Sequence, residues 1–212
     1  MTFYEQKDNS YFKNIRYDII DLIPNGENKI LDIGCGEGKT LLELKKQSKA
    51  QYIVGVDVRP LGQEKSLDGF FNIDIEQSDL PYSDGFFDVI ICADVLEHLI
   101  EPWETIRRLK KYLKSGGYLI ASIPNIREIR ALYTIFMQGD FRYVNAGILD
   151  ISHLRFFCKK NIRELFEKAG YKIMRLTYDL DHNPKRKLIN RASFGFLEEL
   201  IVIQYLVVAV NN

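Results

Sequence analysis

One short stretch constrains this chain more than any other: Leu31-Asp32-Ile33-Gly34-Cys35-Gly36-Glu37-Gly38. The apolar run from Lys29 to Ile33 leads into it, and a helical pattern with Leu41, Leu42 and Leu44 follows. Such an order reads as strand, tight turn and helix. Glycines there let the backbone pass close to a bound molecule, because no Cβ stands in the way. The helix N-terminus adds unpaired N–H groups and a positive end. Together these suit a nucleotide-like ligand. A plain structural turn is the competing reading, and a lone glycine motif does not decide between them.

Spacing narrows the ligand. The dinucleotide fingerprint is G-x-G-x-x-G. Counted from Gly34, its third glycine should fall on Lys39, whereas it falls on Gly38. The pattern is therefore G-x-G-x-G, with an acid two residues before the first glycine. No G-x-x-x-x-G-K-[ST] occurs, which disfavours a phosphate-clamping NTPase.

The 212 residues suffice for one domain with a real core. Formal net charge is +0, so no overall basic balance points to nucleic acid. Cys35, Cys92 and Cys158 form no C-x-x-C pair, and free thiols in a reducing compartment are the expectation, with no metal centre. Met1 to Ser10 lacks an apolar signal core, and the longest apolar run, Leu200 to Val210, is too short to span a bilayer. The expectation is a cytoplasmic protein with no membrane span.

Ser10 can cap a first helix with Phe12, Ile15, Ile19, Leu22 and Ile23 on one face. Strands are predicted at Lys29–Ile33, Tyr52–Val56, Phe70–Ile73, Phe87–Cys92, Tyr118–Ile123, Tyr171–Leu180 and Gln204–Val210. Helices are predicted from the glycine turn to about Ser48, from Pro102 to a stop at Ser115-Gly116-Gly117, and from Asn161 to Ala169, with a short one opened by Pro60. Strands alternating with helices imply a doubly wound α/β sheet that is mostly parallel. Residues 1–212 read as one domain, in which 125–158 and 181–200 depart from the alternation and would shape a pocket.

Acids mark the strand ends: Asp32, Asp57 and Asp74, with Asp94 just after the fourth strand. Open α/β sheets bind ligands outside the carboxyl ends of their strands. Asp57 stands about 20 residues beyond the glycine turn, where a carboxylate takes ribose hydroxyls. Asp74 and the backbone of Ile75 could meet an adenine edge, and Asp32 could hold an amino group. Ribose and amine partners without a phosphate lysine match S-adenosylmethionine. Any single strand-end acid has an ordinary explanation; several in matching positions make coincidence less credible.

These residues resemble the class I S-adenosylmethionine-dependent methyltransferases of the bacterial small-molecule type. The resemblance rests on Ile30–Thr40, Val54–Asp57, Asn72–Glu76 through Leu80-Pro81, Phe86–Leu99 and Leu113–Asn125. A second block, Gly147–Asp150, His153–Phe157 and Leu165–Tyr171, is similar to a subgroup often found in glycan and surface-polysaccharide pathways. The resemblance implies a Rossmann-like methyltransferase fold, a seven-stranded sheet whose last strand is antiparallel. It implies that Asp32, Gly34, Gly36 and Gly38, with Cys35 in the same turn, contact the methionine moiety. Asp57 with the adjoining Val58 would bind ribose, Asp74 and Ile75 would flank adenine, and Ala93 and Asp94 would line the floor near the sulfonium.

Methyl transfer to a hydroxyl needs alignment and a base. Of the three histidines, His98, His153 and His182, His153 is the first candidate base, beside Asp150 and Arg155. A purely structural role for it is equally open. His98 after Glu97 reads rather as a structural pair, with a lesser claim to catalysis. Asp94, Glu97 and His98 could together hold a hard cation, though such sites usually recruit more carboxylates. Tyr11, Phe12, Tyr133, Phe136, Phe141 and Tyr143 could line a dry pocket and face a cation, with core packing as the default. Arg127, Arg130, Arg142, Arg155 and Lys185–Lys187 could recognise an anionic acceptor or form a solvated surface.

The function expected is methyl transfer from S-adenosylmethionine to a small-molecule acceptor, a hydroxyl of a sugar or related metabolite, anionic or sugar-like. A non-catalytic cofactor-binding partner protein with the same fold is the first alternative, and a metal-assisted quinone- or phenol-type O-methyltransferase the second. A nicotinamide oxidoreductase is disfavoured by the glycine spacing. A homodimer is compatible with the sequence; a nucleic-acid partner is not expected.

Overall fold

Strands buried on both faces read as continuous apolar runs, and the predicted runs become the sheet of the computed structural model, which describes residues 15–60, 67–178 and 184–212. β1 (Asn28–Ile33), β2 (Ala50–Asp57), β3 (Gly69–Asn72) and β4 (Phe87–Ala93) pair in parallel, as do β4 and β5 (Leu113–Pro124). β7 (Gln204–Asn211) enters antiparallel between β5 and β6 (Tyr171–Thr177). The result is a seven-stranded sheet in the order β3-β2-β1-β4-β5-β7-β6. This is the Rossmann-like methyltransferase fold, with the antiparallel last strand expected from the sequence.

Alternate residues of each strand serve opposite faces. Leu31, Val54, Ile90 and Leu119 pack with Ile106, Leu109, Ile162 and Phe166, from α3 (Pro102–Leu109) and α5 (Lys159–Lys168). Ile30, Ile53, Ile91 and Ile120 pack on the other face with Ile19, Ile20, Leu41 and Leu44, from α1 (Tyr17–Ile20) and α2 (Lys39–Lys46). The chain leaves β1 for β2 on one side and meets β4 on the other, so β1 marks the reversal of strand order. A crevice opens at such a switch point, at the carboxyl ends of the strands.

The structure differs from expectation at the Ser115-Gly116-Gly117 stop. β5 already runs from Leu113, and these residues form an irregular strand entry in which pairing with β4 shifts between Phe87 and Val89. A Cβ on Gly117 would lie 2.9 Å from the Asp88 carbonyl oxygen, so close backbone passage explains this glycine better than a helix end. Further helices occur at α4 (Ile129–Phe136), α6 (Pro184–Ala192) and α7 (Glu198–Ile201). The Ser10 cap, Tyr11, Phe12, His182 and the helix after Pro60 lie outside the described residues. The cysteines are all free. Among the described residues no helix is long and apolar enough to cross a membrane.

Candidate functional site

The turn from β1 to α2 is set by glycine geometry. Gly34 adopts φ +72°, and a Cβ there would stand 2.5 Å from Val95 Cγ2. Gly38, at φ +70°, precedes the first turn of α2 in a left-handed conformation. The turn is fastened to the end of β2: the N–H groups of Gly34 and Cys35 both donate to the Val56 carbonyl, at 2.7 and 3.2 Å. The Gly36 N–H donates to Asp57 Oδ2 at 2.9 Å.

This turn forms one wall of a cleft at the carboxyl ends of β1, β2 and β4. Asp32, Gly34, Cys35, Gly36, Asp57 and Val58 line it, as do Asp74, Ile75, Ala93 and Asp94. Gly38 does not line it; its place is the start of α2. Ile33, Val56, Ile73 and Leu99 give the cleft apolar walls. Two cations among the described residues, Arg16 and Arg59, also line it, and sequence reasoning missed both. No local pattern ties Arg16 to the glycine turn; its guanidinium reaches Asp94 only through the fold.

The carboxylates are electrostatically uneven. Asp32 is 4% exposed. Burial, then repulsion from Asp57, pushes its pKa up to about 8, and Arg16 pulls it part of the way back. Burial also raises Asp57, opposed by the backbone N–H groups of Arg59 and Gly36. The Arg59 N–H donates to Oδ1 at 2.9 Å and the Gly36 N–H to Oδ2, and a carboxylate with about four lone-pair sites keeps acceptor capacity beyond these bonds. Burial, with Asp32 and Asp57 nearby, drives the Cys35 thiol upward, which keeps it neutral. Burial lowers Arg16, but hydrogen bonding to Asp18 and the charge of Asp94 outweigh it, and its pKa rises.

Asp94 sits in a left-handed conformation, φ +55°, directly after β4. Its N–H donates to Ser122 Oγ at 3.1 Å, and its carboxylate pairs with Arg16 and accepts from Gln204. The rim of the cleft is thus tied to β5, β7 and the segment before α1.

The histidines occupy different positions. His98 lines the cleft, and His153 packs behind it, ring centroids 4.8 Å apart. His98 Nδ1 lies 2.9 Å from the Ser152 carbonyl, and His153 Nδ1 lies 2.9 Å from the Ile148 carbonyl. A carbonyl only accepts, so in each ring Nδ1 carries the proton and donates. Glu97 is buried, with Oε1 4.0 Å from His153 Nε2. Its carbonyl accepts the N–H groups of Leu154 and Arg155, at 2.8 and 3.0 Å, which hang this segment on the end of β4. Ligand atoms of Glu97, His98 and His153 lie within 4.8 Å of one another. His153 therefore joins this group, and Asp94, which the sequence grouped with Glu97 and His98, is engaged with Arg16 instead.

The later basic residues are used within the fold. Arg127 pairs with Glu199, Arg130 with Glu128 and Arg142 with Asp140. Arg155 donates to the Ile100 carbonyl and lies over the Trp103 ring. None of them lines the cleft, nor do Tyr133, Phe136, Phe141 or Tyr143, which are exposed. Among the described residues, aliphatic side chains rather than these aromatics wall the cleft.

Residues 8–176 match the family described as a methyltransferase domain. A ubiquinone biosynthesis O-methyltransferase from Marinobacter nauticus is 30% identical over 117 residues, covering 50% of this chain and 48% of that protein. A ubiquinone/menaquinone biosynthesis C-methyltransferase from Geobacter sp. is 25% identical over 172 residues, covering 71% of this chain and 73% of that one. The matches span less than half the length of the first two curated relatives, 37% and 48%. A SAM-dependent methyltransferase from Archaeoglobus fulgidus shares the fold, with TM-score 0.67 at 17% identity over 95% of this chain and 97% of that one.

Proposed function

The chain belongs to the methyltransferase-domain family, and from that premise we propose that it transfers a methyl group from S-adenosylmethionine to a hydroxyl oxygen of a small-molecule acceptor. The observation that carries this reading is the convergence of Asp32, Gly34, Gly36, Asp57, Asp74 and Asp94 on one cleft. The donor set fits the cofactor. Asp57 keeps acceptor capacity for ribose hydroxyls. Asp74 and Ile75 stand where an adenine edge would pass. Buried Asp32 suits an ammonium, whose charge would favour its ionised form. Arg16 suits the carboxylate of the same amino acid moiety.

When bound, the cofactor supplies an electrophilic methyl on a cationic sulfur. The chain aligns, shields and deprotonates. Ile33, Val56, Ile73 and Leu99 exclude water from the cleft. His98 takes the catalytic role, because it lines the cleft and its Nδ1 is held on the Ser152 carbonyl, an orientation in which a neutral imidazole takes a hydroxyl proton at Nε2. His153 acts as a positioning residue, packed against the His98 ring.

The relatives' names place them in ubiquinone and menaquinone biosynthesis, which supports a small-molecule acceptor. A sugar or related metabolite is the finer reading and rests on the Gly147–Asp150, His153–Phe157 and Leu165–Tyr171 block alone. Calorimetric titration with S-adenosylmethionine tests the cofactor, and labelled methyl transfer into metabolite extracts tests the acceptor. Absence of heat at high micromolar cofactor would remove the basis of the proposal.

One observation favours a second reading. The Glu97, His98 and His153 ligand atoms could hold a divalent ion that polarises an acceptor oxygen. Their two Nδ1–H groups on backbone carbonyls are the support that metal-binding imidazoles use. Metal content after purification, and its loss in Glu97→Gln, separate the two readings.

A further inference from the structure

Two surface segments turn large apolar side chains outward. On α4 and its C-cap, Ile129, Tyr133, Phe136 and Met137, with half-buried Leu132, follow the spacing of one helical face. Such a stripe ordinarily packs inward. Here Ala131 is the residue of the helix that is buried, while Phe136 is 78% and Met137 73% exposed. The second segment is 184–197. No residue of α6 is buried, Leu188 is exposed, and a turn follows in which Phe194 is 91% and Phe196 90% exposed. That turn is held by left-handed residues, Phe194 at φ +49° and Gly195 at φ +82°.

The segments are linked through the start of α4. Glu128, the N-cap of α4, accepts Arg186 of α6 at 2.5 Å and Arg130 Nε at 3.0 Å. The Asn125 side chain donates to the carbonyls of Glu199 and Val202, at 2.7 and 2.8 Å. Two residues on, Gln204 bonds Asp94 at the rim of the cleft.

Charge selects the occupant. Residues 129–137 and 184–197 contain no Asp or Glu; Arg130 and Arg186 are paired with Glu128 at the start of α4, and Lys185, Lys187 and Arg191 are exposed, in a chain of net charge +0. Exposed aromatic and aliphatic side chains among cations are the signature of a surface that lies on an anionic bilayer. A second copy of the chain would bring like charges together across the contact, which is unfavourable. We propose that α4 and the 184–197 segment form a docking face for an anionic lipid bilayer, with Phe194 and Phe196 as the inserting side chains.

The test is co-sedimentation of the full chain with vesicles of phosphatidylglycerol and phosphatidylcholine in equal parts, against phosphatidylcholine alone. The expected result is binding to the anionic vesicles that weakens with added salt, and roughly tenfold weaker binding to the neutral ones. The double variant Phe194→Ser with Phe196→Ser should lose about tenfold or more in partitioning, while its circular dichroism and Tm stay unchanged. Lys185→Ala with Arg191→Ala should give a comparable loss, confined to anionic vesicles. No binding to anionic vesicles at low salt overturns the proposal, as does equal binding by the phenylalanine variant. A dimer in light scattering that this variant converts to monomer would assign the surface to a second copy instead, and also overturns it.

Discussion

Asp57 Oδ2 accepts the Gly36 N–H at 2.9 Å, so the last residue of β2 holds the glycine turn that follows β1. One carboxylate thus fixes the shape of the turn and offers acceptor capacity to a ribose. Asp57→Ala removes both. Loss of charge-assisted hydrogen bonds should weaken S-adenosylmethionine binding by about 1.5–3 kcal/mol, or roughly ten- to a hundredfold in Kd. Calorimetry measures this directly. Affinity within twofold of the parent would show that the ribose lies elsewhere.

Asp32 makes stability and binding depend on pH. Burial, then Asp57, raises its folded pKa to about 8, while an unfolded aspartate titrates near ~4. Between those values the folded chain binds the extra proton, so this group's contribution to stability falls as pH rises from ~4 and levels off above about 8. Asp32→Asn removes the dependence, and its Tm should exceed the parent's by more at pH 8 than at pH 5. A ligand ammonium favours the ionised carboxylate, so cofactor binding should release a proton at pH 7. Titration in buffers of different ionisation enthalpy reads that release, and equal heats in all of them would count against an ammonium beside Asp32.

The strand ends and the glycine turn were legible because their signals are local: an apolar run, an acid, then glycines. Asp57 and Asp74 follow from the same logic repeated along the chain. Arg16 was not legible, since its partner Asp94 is 78 positions away and nothing in the first segment announces that meeting. Ser115-Gly116-Gly117 misled because glycine marks a helix stop and a strand irregularity alike. Tyr133 and Phe136 misled differently: large aromatic side chains imply core packing or a pocket wall, and the fold turns these two outward. Which histidine lines the cleft depends on how the 153–155 segment hangs from the Glu97 carbonyl, a tertiary fact with no sequence period.

Arg16 should discriminate between ligands. If its guanidinium receives the carboxylate of the amino acid moiety, Arg16→Gln should weaken S-adenosylhomocysteine by about tenfold, typical of losing a hydrogen bond to a charged group. Methylthioadenosine, which lacks that carboxylate, should bind the variant and the parent alike. Competition binding with the two ligands gives the ratio. Equal weakening of both would mean that Arg16 only props the rim through Asp94.

Gly34 should not tolerate a side chain. Its φ of +72° strains any L-residue, and the new Cβ would meet Val95 Cγ2 at 2.5 Å. The left-handed conformation costs ~1–2 kcal/mol, and overpacking adds about 1–3 kcal/mol. Gly34→Ala should therefore lower Tm by roughly 4 °C or more and weaken cofactor binding as the turn shifts. Scanning calorimetry checks the first effect. An unchanged Tm would mean that the turn relaxes away from Val95 without cost.

The two histidines should separate by role. His98 lines the cleft, whereas His153 packs against the His98 ring and is not among the lining residues. If His98 takes the acceptor proton, His98→Ala should lower kcat by about 10²–10⁴-fold with cofactor Kd within twofold. His153→Ala should act through position, with a smaller loss in kcat. His153→Gln can still donate to the Ile148 carbonyl that His153 Nδ1 meets at 2.9 Å, and should recover most of that loss. Single-turnover transfer of a labelled methyl, measured with the acceptor from the extract screen, distinguishes chemistry from binding. If His153→Ala proves the more damaging and His153→Gln recovers nothing, proton removal belongs to His153, and the acceptor must then enter between the two rings.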